Sequence, residues 1–465
     1  MFAGIGSDNL NEISNVHFIG IGGAGMSGLA KILIQKGIKV SGSDLSQSKY
    51  VERLVQIGAQ IKIGHHEDNV PDFCDLVVIS SAIPLTNPEL QKAKDIGIRI
   101  IKRGELLGEL MRLQRGISVS GAHGKTTTSS MIALILEDAG YDPTIVIGGE
   151  LYNLCSNAKL GKGEYLVAEG DESDGSFLEL FSEIAIVTNI EDDHLDHYGS
   201  MDGIIDAFQQ YINQILEGGT AFICIDDDIA RKLEKPENRN FKYYGLKDND
   251  DFVAKNLVFK DTGSLSDIYY RQEFLGELEL TITGKHNMLN ALGALGVAME
   301  AGVSFQEATR ALKKFKGVER RFQLLGCEGN IKVIDDYAHH PTEIRATLQA
   351  ARQTHKGRIV AVFQPHRYSR TKQLYHEFGG SFSDADFVVI TDIYASGEQP
   401  IPGISGELIF QEAKKMFPEK QIIYKRYDDL ADYLRETVQS GDLVITLGAG
   451  DIWKKGKELI DILGE

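Results

Sequence analysis

Two glycine-rich turns carry the chemistry most readily read in this chain. The first runs Gly20-Ile21-Gly22-Gly23-Ala24-Gly25-Met26-Ser27-Gly28, after the apolar run Val16–Ile21 and before a helical pattern that extends to Lys36. Glycines at this spacing let backbone N–H groups approach a pyrophosphate, and the start of a helix favours negative charge. Asp44 closes the next apolar run, roughly 20 residues on, where an acid can accept from a ribose hydroxyl. A dinucleotide such as NAD and a UDP-linked molecule both satisfy this pattern, and a tight turn without a ligand is the bland alternative. The spacing alone leaves them open.

The second turn is Ser118-Val119-Ser120-Gly121-Ala122-His123-Gly124-Lys125-Thr126-Thr127-Thr128. It reads as a shortened P-loop, with Val119 where a further glycine would stand. The mechanics survive the shortening. Backbone N–H groups cradle phosphate, Lys125 reaches the β- and γ-phosphates, and the Thr126 hydroxyl can bind Mg²⁺. A solvated Gly-Lys turn is the competing reading, disfavoured by the strand before it and the helix after.

Two acidic stretches follow. Glu169-Gly170-Asp171-Glu172-Ser173-Asp174 comes after Leu166–Ala168, and Asn189-Ile190-Glu191-Asp192-Asp193-His194-Leu195-Asp196-His197 after Ile184–Thr188. Both lie at the C-terminal ends of expected parallel strands, the edge where open α/β sheets bind ligands. Mg²⁺ needs oxygen ligands beside phosphates. Glu169 is the best direct ligand, and His194 is a candidate for a second ion. Charge runs are usually solvated surface, but so many carboxylates at one edge repel each other without a cation.

The elements that must hold these groups fall into three blocks. Residues 16–101 alternate strands (Val16–Ile21, Ile38–Ser41, Leu76–Ser80) with helical patterns, which implies a parallel sheet. The charged, helical stretch Gly104–Gly116 is the candidate boundary. The second block places strands at Ile117–Ser120, Tyr165–Ala168, Ile184–Thr188 and Ala221–Ile225, hairpin-like alternation over 252–283, and a helix over His286–Ala301. The third begins near Gly317–Arg321, with strands at Lys332–Asp335, Arg358–Gln364, Phe387–Asp392 and Leu443–Leu447.

Bulk properties restrict the function. A net charge of −18 argues against a broad nucleic-acid or anionic-membrane surface. The four cysteines, Cys74, Cys155, Cys224 and Cys327, form no CxxC pair, so a zinc site is not expected and reduced thiols are. Met1–Ser14 lacks the pattern of a secretory signal, and no apolar run reaches the length of a membrane helix. A cytoplasmic location is the expectation.

The two phosphate turns decide between function classes. An NAD-dependent oxidoreductase uses the first and leaves the second idle; a motor ATPase does the reverse. A ligase that joins a nucleotide-linked substrate at the expense of ATP uses both.

The residues also resemble a known family, the Mur ligases, over almost the whole chain. The motifs are HFIGIGGAGMSG (17–28), GAHGKTTT (121–128), EGDESDGSFL (169–178), TNIEDDHLDHYG (188–199), GKHNMLNAL (284–292), ERRFQ (319–323), DDYAHHPTE (335–343), FQPHRYSR (363–370) and GAGDIW (448–453). One departure is Gly170, where a small residue such as alanine is expected. The resemblance implies an α/β fold of three domains. These are a Rossmann-like UDP-substrate domain (1–108), a central P-loop-type ATPase domain with a small antiparallel sheet (109–317), and a Rossmann-like C-terminal domain (318–465) that closes over ATP and binds the amino acid.

The implied reaction joins L-alanine to the lactyl carboxylate of UDP-N-acetylmuramate through an acyl phosphate, with Mg²⁺ and ATP, in peptidoglycan precursor synthesis. The nearest competing reading is a relative that attaches a preformed peptide. A monomer or weak dimer is expected, with no nucleic-acid or membrane partner.

Carried over residue by residue, the resemblance assigns Gly22, Gly23, Ala24, Gly25, Met26, Asp44, Ser81, His123, Asn189, Arg367 and Arg370 to the UDP substrate. ATP falls to Gly121, Ala122, His123, Gly124, Lys125, Thr126, Thr127, His286, Asn287, Arg321 and Asp336. Tyr337 and His339 take the amino acid, and Thr126, Glu169 and His194 the metal. Lys125, Glu169, His194, His339 and Arg367 are the expected catalytic set, while His340 and His366 are read as packing or capping residues. Several siblings resemble one another in relying on a carbamylated lysine shortly after the metal-site histidine. This chain has no lysine from Gly163 to Arg231.

Overall fold

The computed structural model describes residues 12–151, 156–248, 251–260 and 263–464. Cys155 and most of the Met1–Ser14 segment lie outside them. Among the described residues the strands form three sheets.

The first sheet holds β1 (Asn15–Ile19), β2 (Lys39–Asp44), β3 (Gln60–Ile63), β4 (Leu76–Ile79) and β5 (Arg99–Lys102) in the order β3-β2-β1-β4-β5. All its pairings are parallel. The second holds β6 (Arg115–Ser120), β7 (Thr144–Leu151), β8 (Ser156–Lys159), β9 (Tyr165–Glu169), β10 (Ile184–Val187), β11 (Thr220–Cys224), β12 (Asn240–Gly245), β13 (Phe252–Lys260), β14 (Gly263–Tyr270) and β15 (Glu273–Leu280). Its order is β15-β14-β13-β12-β11-β10-β6-β9-β7-β8, so the strands over 252–280 extend the central sheet at one edge. An antiparallel pair, β7 with β8, closes the other. The third holds β16 (Gln323–Glu328), β17 (Ile331–Asp336), β18 (Ile359–Phe363), β19 (Phe387–Ile390), β20 (Gln421–Tyr424) and β21 (Leu443–Leu447), ordered β16-β17-β21-β18-β19-β20. Only its β16–β17 pair is antiparallel.

Sequence pattern explains which strands are central. Leu76–Ile79, Ile184–Val187, Ile359–Phe363 and Leu443–Leu447 are buried throughout. Parallel strands covered on both faces need continuous apolar runs. The expected strands shift by a few residues at their ends: Val16–Ile21 becomes Asn15–Ile19, and Ile38–Ser41 becomes Lys39–Asp44. Phe387–Asp392 stops at Ile390, with the Thr391 N–H still donating to the Phe363 carbonyl as the last rung of the ladder.

The chain forms two compact units. The first comprises residues 1–256, 266–278 and 289–315, and the second residues 257–265, 279–288 and 316–465. Within the first unit the expected boundary stretch is a buried helix, Arg103–Met111. Leu106, Leu107, Leu110 and Met111 join one hydrophobic core with Val16, Phe18 and Leu29 of the first sheet layer and Val146, Ala158, Leu166, Ala168 and Leu180 of the second. The second unit has its own core on the faces of β17, β18, β19 and β21.

Candidate active site

In the first sheet, the Gly20–Gly25 turn leaves β1, and helix Ala24–Gln35 begins inside it. Asp44 sits at the end of the neighbouring β2 and accepts the Gly22 N–H at 2.8 Å and the Ser46 N–H at 3.2 Å. Gly22 has to be glycine, because a Cβ there would meet Asp44 Oδ2 at 2.8 Å. Asp44 therefore shapes the turn from behind. The Met26 side chain is buried in the core, so the turn offers a ligand only its backbone. Ser81 lies exposed in the turn after β4.

In the second sheet, β6 pairs with β9 on one side and β10 on the other. Its C-terminal end is thus flanked by both acidic stretches, and the topology brings together groups far apart in sequence. The Gly121–Gly124 turn is clamped by the second stretch. Asn189 accepts the His123 N–H at 2.8 Å and donates to the His123 carbonyl at 3.0 Å, and the Thr188 hydroxyl donates to the same carbonyl at 2.6 Å. His123 Nε2 stands 3.3 Å from Glu191. Asn189 holds the loop in this structure. Gly124 has φ +83°, the left-handed region that favours glycine. A Cβ there would also meet Asn290 Oδ1 at 2.5 Å.

Helix Lys125–Asp138 starts directly after Gly124. Lys125 Nζ donates to the carbonyls of Gly121 (2.5 Å) and Ala122 (3.1 Å) and to Glu172 at 2.8 Å. Burial alone would lower its pKa, but Glu172, Glu169 and Asp171 together outweigh burial and raise it. Glu172 is 5% exposed, and burial pushes its carboxyl up to about 7 against the pull of Lys125. Its Oε2 is buried with no hydrogen-bond partner. Thr127 is buried behind the loop.

The Thr126 hydroxyl lies 2.9 and 3.0 Å from the two Glu169 oxygens, and the Gly148 N–H donates to Glu169 at 2.7 Å. A hydroxyl and a carboxylate placed together at a phosphate loop are the donor set a hard divalent cation takes. His194 Nε2 is 3.7 Å from Glu172 Oε1 and 3.5 Å from Asp193 Oδ2. Its φ of +65° places it at the start of helix Leu195–Tyr198. At Gly170 an added Cβ would meet Phe177 Cβ at 3.2 Å and Leu180 Cδ1 at 3.3 Å, so the glycine relieves a tight fit.

In the second unit, the loops after β17, β18, β19 and β21 share the C-terminal edge of the third sheet. Asp336 accepts N–H groups from Phe322 (2.7 Å) and Ala338 (2.8 Å), and burial pushes it up to about 6 despite Arg321. Arg321 reaches Glu343 at 3.3 Å. Burial, then the Arg321 charge, pull His286 down to about 4. Asn287 donates to the Thr283 carbonyl at 2.7 Å. The Tyr337 ring has the guanidinium groups of Arg320 and Arg321 at 5.0 and 5.3 Å, and the His339 ring meets it edge-on. Glu343 accepts the His339 N–H at 2.9 Å.

Arg367 is exposed with φ +68°, and its N–H donates to the Tyr394 carbonyl. Arg370 lies in the first turn of the following helix, Tyr368–Gly379. His366 stacks on Tyr394, and burial, with the cationic neighbours, lowers it to about 3. His340 is buried as the N-cap of helix Pro341–Thr354.

Sequence reasoning left Asn290, Arg320, Glu343 and Tyr394 out of the site. Asn290 follows Asn287 by three residues on one helix, a spacing that puts both on one face. Arg320 donates to Asp335 and to the carbonyls of Gly448, Ala449 and Gly450, a role that only the folded sheet reveals.

Comparison with known proteins fits this geometry. Three family models match in succession: the Mur ligase family catalytic domain at residues 15–115, the Mur ligase middle domain at 119–298, and the Mur ligase glutamate ligase domain at 320–450. The UDP-N-acetylmuramate–L-alanine ligase of Desulforamulus reducens is 49% identical over 97% of this chain and 98% of its own. That of Pelotomaculum thermopropionicum is 50% identical over 98% and 99%. The crystal structure of UDP-N-acetylmuramate–alanine ligase from Thermotoga maritima superposes with TM-score 0.82 at 29% identity, covering 96% of this chain and 98% of that one. A murein peptide ligase from Psychrobacter arcticus gives 0.73 at 26% identity, covering 97% and 99%. The fold and site define an ATP-loop α/β ligase. The chain belongs to the Mur ligase family. No described helix is long and apolar enough to cross a membrane.

Proposed function

We propose that this chain is the ligase that joins L-alanine to the lactyl carboxylate of UDP-N-acetylmuramate at the expense of ATP, in the cytoplasm. The observation that carries the reading is the pair of phosphate turns on two sheets, of which only the second has a lysine, a hydroxyl and carboxylates at its mouth. The alanine ligases at 49–50% identity support it over the peptide-attaching alternative, whose relative is 26% identical.

In this reading the Gly20–Gly25 turn binds the substrate pyrophosphate and residues 1–108 form its domain. The Gly121–Lys125 turn binds ATP within residues 109–317. Thr126 and Glu169, with His194 for a second ion, would hold Mg²⁺, which would supply positive charge at the phosphates. Lys125 leaves Glu172 for the γ-phosphoryl group and stabilises charge as a lactyl carboxylate oxygen attacks phosphorus and ADP departs. The alanine amine then attacks the acyl carbon and phosphate leaves. Residues 318–465 supply Arg321 and Asp336 to ATP, and Tyr337, His339, Arg367 and Arg370 to the amino acid and muramoyl group.

Phosphate release, measured with ATP, Mg²⁺, UDP-N-acetylmuramate and a panel of amino acids and short peptides, tests this reading. L-Alanine should give the highest kcat/KM, and omission of any one substrate should stop release. A tripeptide that outperforms alanine would overturn the assignment.

A further inference from the structure

The loop after β18 holds one residue in a backbone conformation that its own sequence does not favour. Arg367 has φ +68° and ψ +141°. That lies beyond even the left-handed helical region, where a residue with a side chain rarely sits. A glycine would adopt it freely. Arg367 also stands just before helix Tyr368–Gly379, and an arginine side chain has no acceptor to offer the N–H groups at a helix start. Two local preferences are overridden at one position, so the surroundings must impose the result.

The segment after β19 imposes it. Tyr394 takes the Arg367 N–H on its carbonyl at 2.9 Å and gives its own N–H to the Pro365 carbonyl at 2.8 Å, a short parallel bridge between two loops. The Tyr394 ring stacks on His366, with centroids 5.7 Å apart and planes within 9°. Glu398 completes the clasp. Its carboxylate accepts the Ser369 N–H at 3.0 Å and the Ser369 hydroxyl at 2.5 Å. Burial works against its charge, but these bonds, the Tyr368 N–H and the Arg367 charge hold the carboxyl below its ordinary range. Glu398 thus does for helix Tyr368–Gly379 what the residue before the helix cannot.

A tight turn lets one segment make both contacts. Ser396 and Gly397 have φ +50° and +85°, and the Glu398 N–H closes back on the Ala395 carbonyl at 3.0 Å. Tyr394 therefore fixes the backbone up to Arg367, and Glu398 fixes the backbone that follows it. The Arg367 side chain itself stays exposed. Only its main chain is gripped, from both sides in sequence.

We infer that Glu398 is a positioning residue of the ligase reaction, locking the start of helix Tyr368–Gly379 so that Arg367 keeps the conformation that presents its guanidinium to an anionic group of the substrate. The inference rests on the proposed role of Arg367 at the muramoyl group. A guanidinium fork serves a carboxylate or phosphoryl oxygen when it is already in place. With its backbone clasped in advance, that arginine need not be ordered on binding. Glu398 touches no reactant and acts through Arg367.

A double-mutant cycle in the full chain tests it, with kcat and KM for UDP-N-acetylmuramate, L-alanine and ATP measured by phosphate release. Arg367→Ala should lower kcat/KM for UDP-N-acetylmuramate about 10²-fold, the scale of a lost positioning group, and Glu398→Ala about tenfold. On top of Arg367→Ala, Glu398→Ala should cost less than about twofold more, because groups that act as a unit are not additive. Glu398→Gln keeps an acceptor for the Ser369 N–H and a partner for its hydroxyl, so it should stay within about threefold of wild type. KM for ATP should be the same in all of them. Should Glu398→Ala not fold, Ser369→Ala, which removes one bond of the clasp, takes its place in the cycle. An unimpaired Glu398→Ala enzyme, losses that multiply in the double mutant, equal losses in the Gln and Ala variants, or a raised KM for ATP would each overturn the inference while leaving the functional reading intact. A wild type that releases no phosphate with UDP-N-acetylmuramate would overturn both.

Discussion

The two phosphate turns of the first unit look alike in sequence and differ in what stands behind them. Behind the first, buried Glu89 is saturated by four donors, from His17, Ser43, His65 and Asn69, and Asp44 is tied to the turn backbone. Its charge is permanent and nothing in it needs to move. Behind the second, Glu172 has one oxygen on Lys125 and the other without a partner, and burial holds it near 7. A turn that only binds can be fully paired in advance. A turn that transfers a phosphoryl group keeps a cation that can change partners and carboxylates whose charge must be met by something else. On the proposed function, preorganisation and reactivity sit on two sheets of one unit.

Lys125→Ala is the severest way to break the contrast. It should cost about 10²-fold or more in kcat, the scale of losing one electrostatic group at a developing charge. A residual rate above about a tenth of wild type would remove Lys125 from the chemistry. The equivalent disruption of the binding turn is milder. Asp44→Ala should raise the KM for UDP-N-acetylmuramate about tenfold through a loosened turn and a lost ribose contact, and leave that for ATP alone. A KM effect on ATP instead would mean that the two turns are not separate sites.

The permanence of the Glu89 charge has a pH signature. Its folded pKa lies below the unfolded value, so its stabilisation is fully present above about 4.5 and is lost as pH falls toward about 2. The amount is on the order of 3 kcal/mol at neutral pH. Glu89→Gln should therefore lower stability at pH 7 and flatten its fall between pH 4.5 and 2, as followed by chemical denaturation at each pH. An unchanged slope would show that the network is not the acid-sensitive element. The smallest expected effect is none: with no lysine between Gly163 and Arg231 to carbamylate, activity should be independent of bicarbonate. Loss in CO₂-free buffer and rescue by bicarbonate would point to an unrecognised lysine.

Central strands were legible because burial on both faces demands unbroken apolar runs, as in Leu76–Ile79 and Ile359–Phe363. The edge strands β3, β16 and β20 were not, since sequences such as QIKI have one side in water and no distinctive run. The glycine turns were legible because a local backbone need dictates local residues. The pairings around them were not. Lys125 and Glu172 are 47 residues apart, and His17 and Glu89 are 72 apart, so only the strand order brings them together. Carboxylates at a strand end could be read as a cluster, but not which of them would be left half-paired.

The helix Arg103–Met111 bears on how the chain is made. The core it shares draws on Val16 and Leu29 at one end of the sequence and on Leu166, Ala168 and Leu180 much later. During synthesis the first sheet can align its strands as it leaves the ribosome, but one face of its core stays open until the β9 segment follows. At roughly 5–20 residues per second, the intervening stretch of about 70 residues takes several seconds to emerge. For that interval the nascent chain presents Leu106, Leu107 and Leu110 to the surroundings, a natural landing place for a chaperone, and a fragment truncated near residue 115 would keep that sticky face for good.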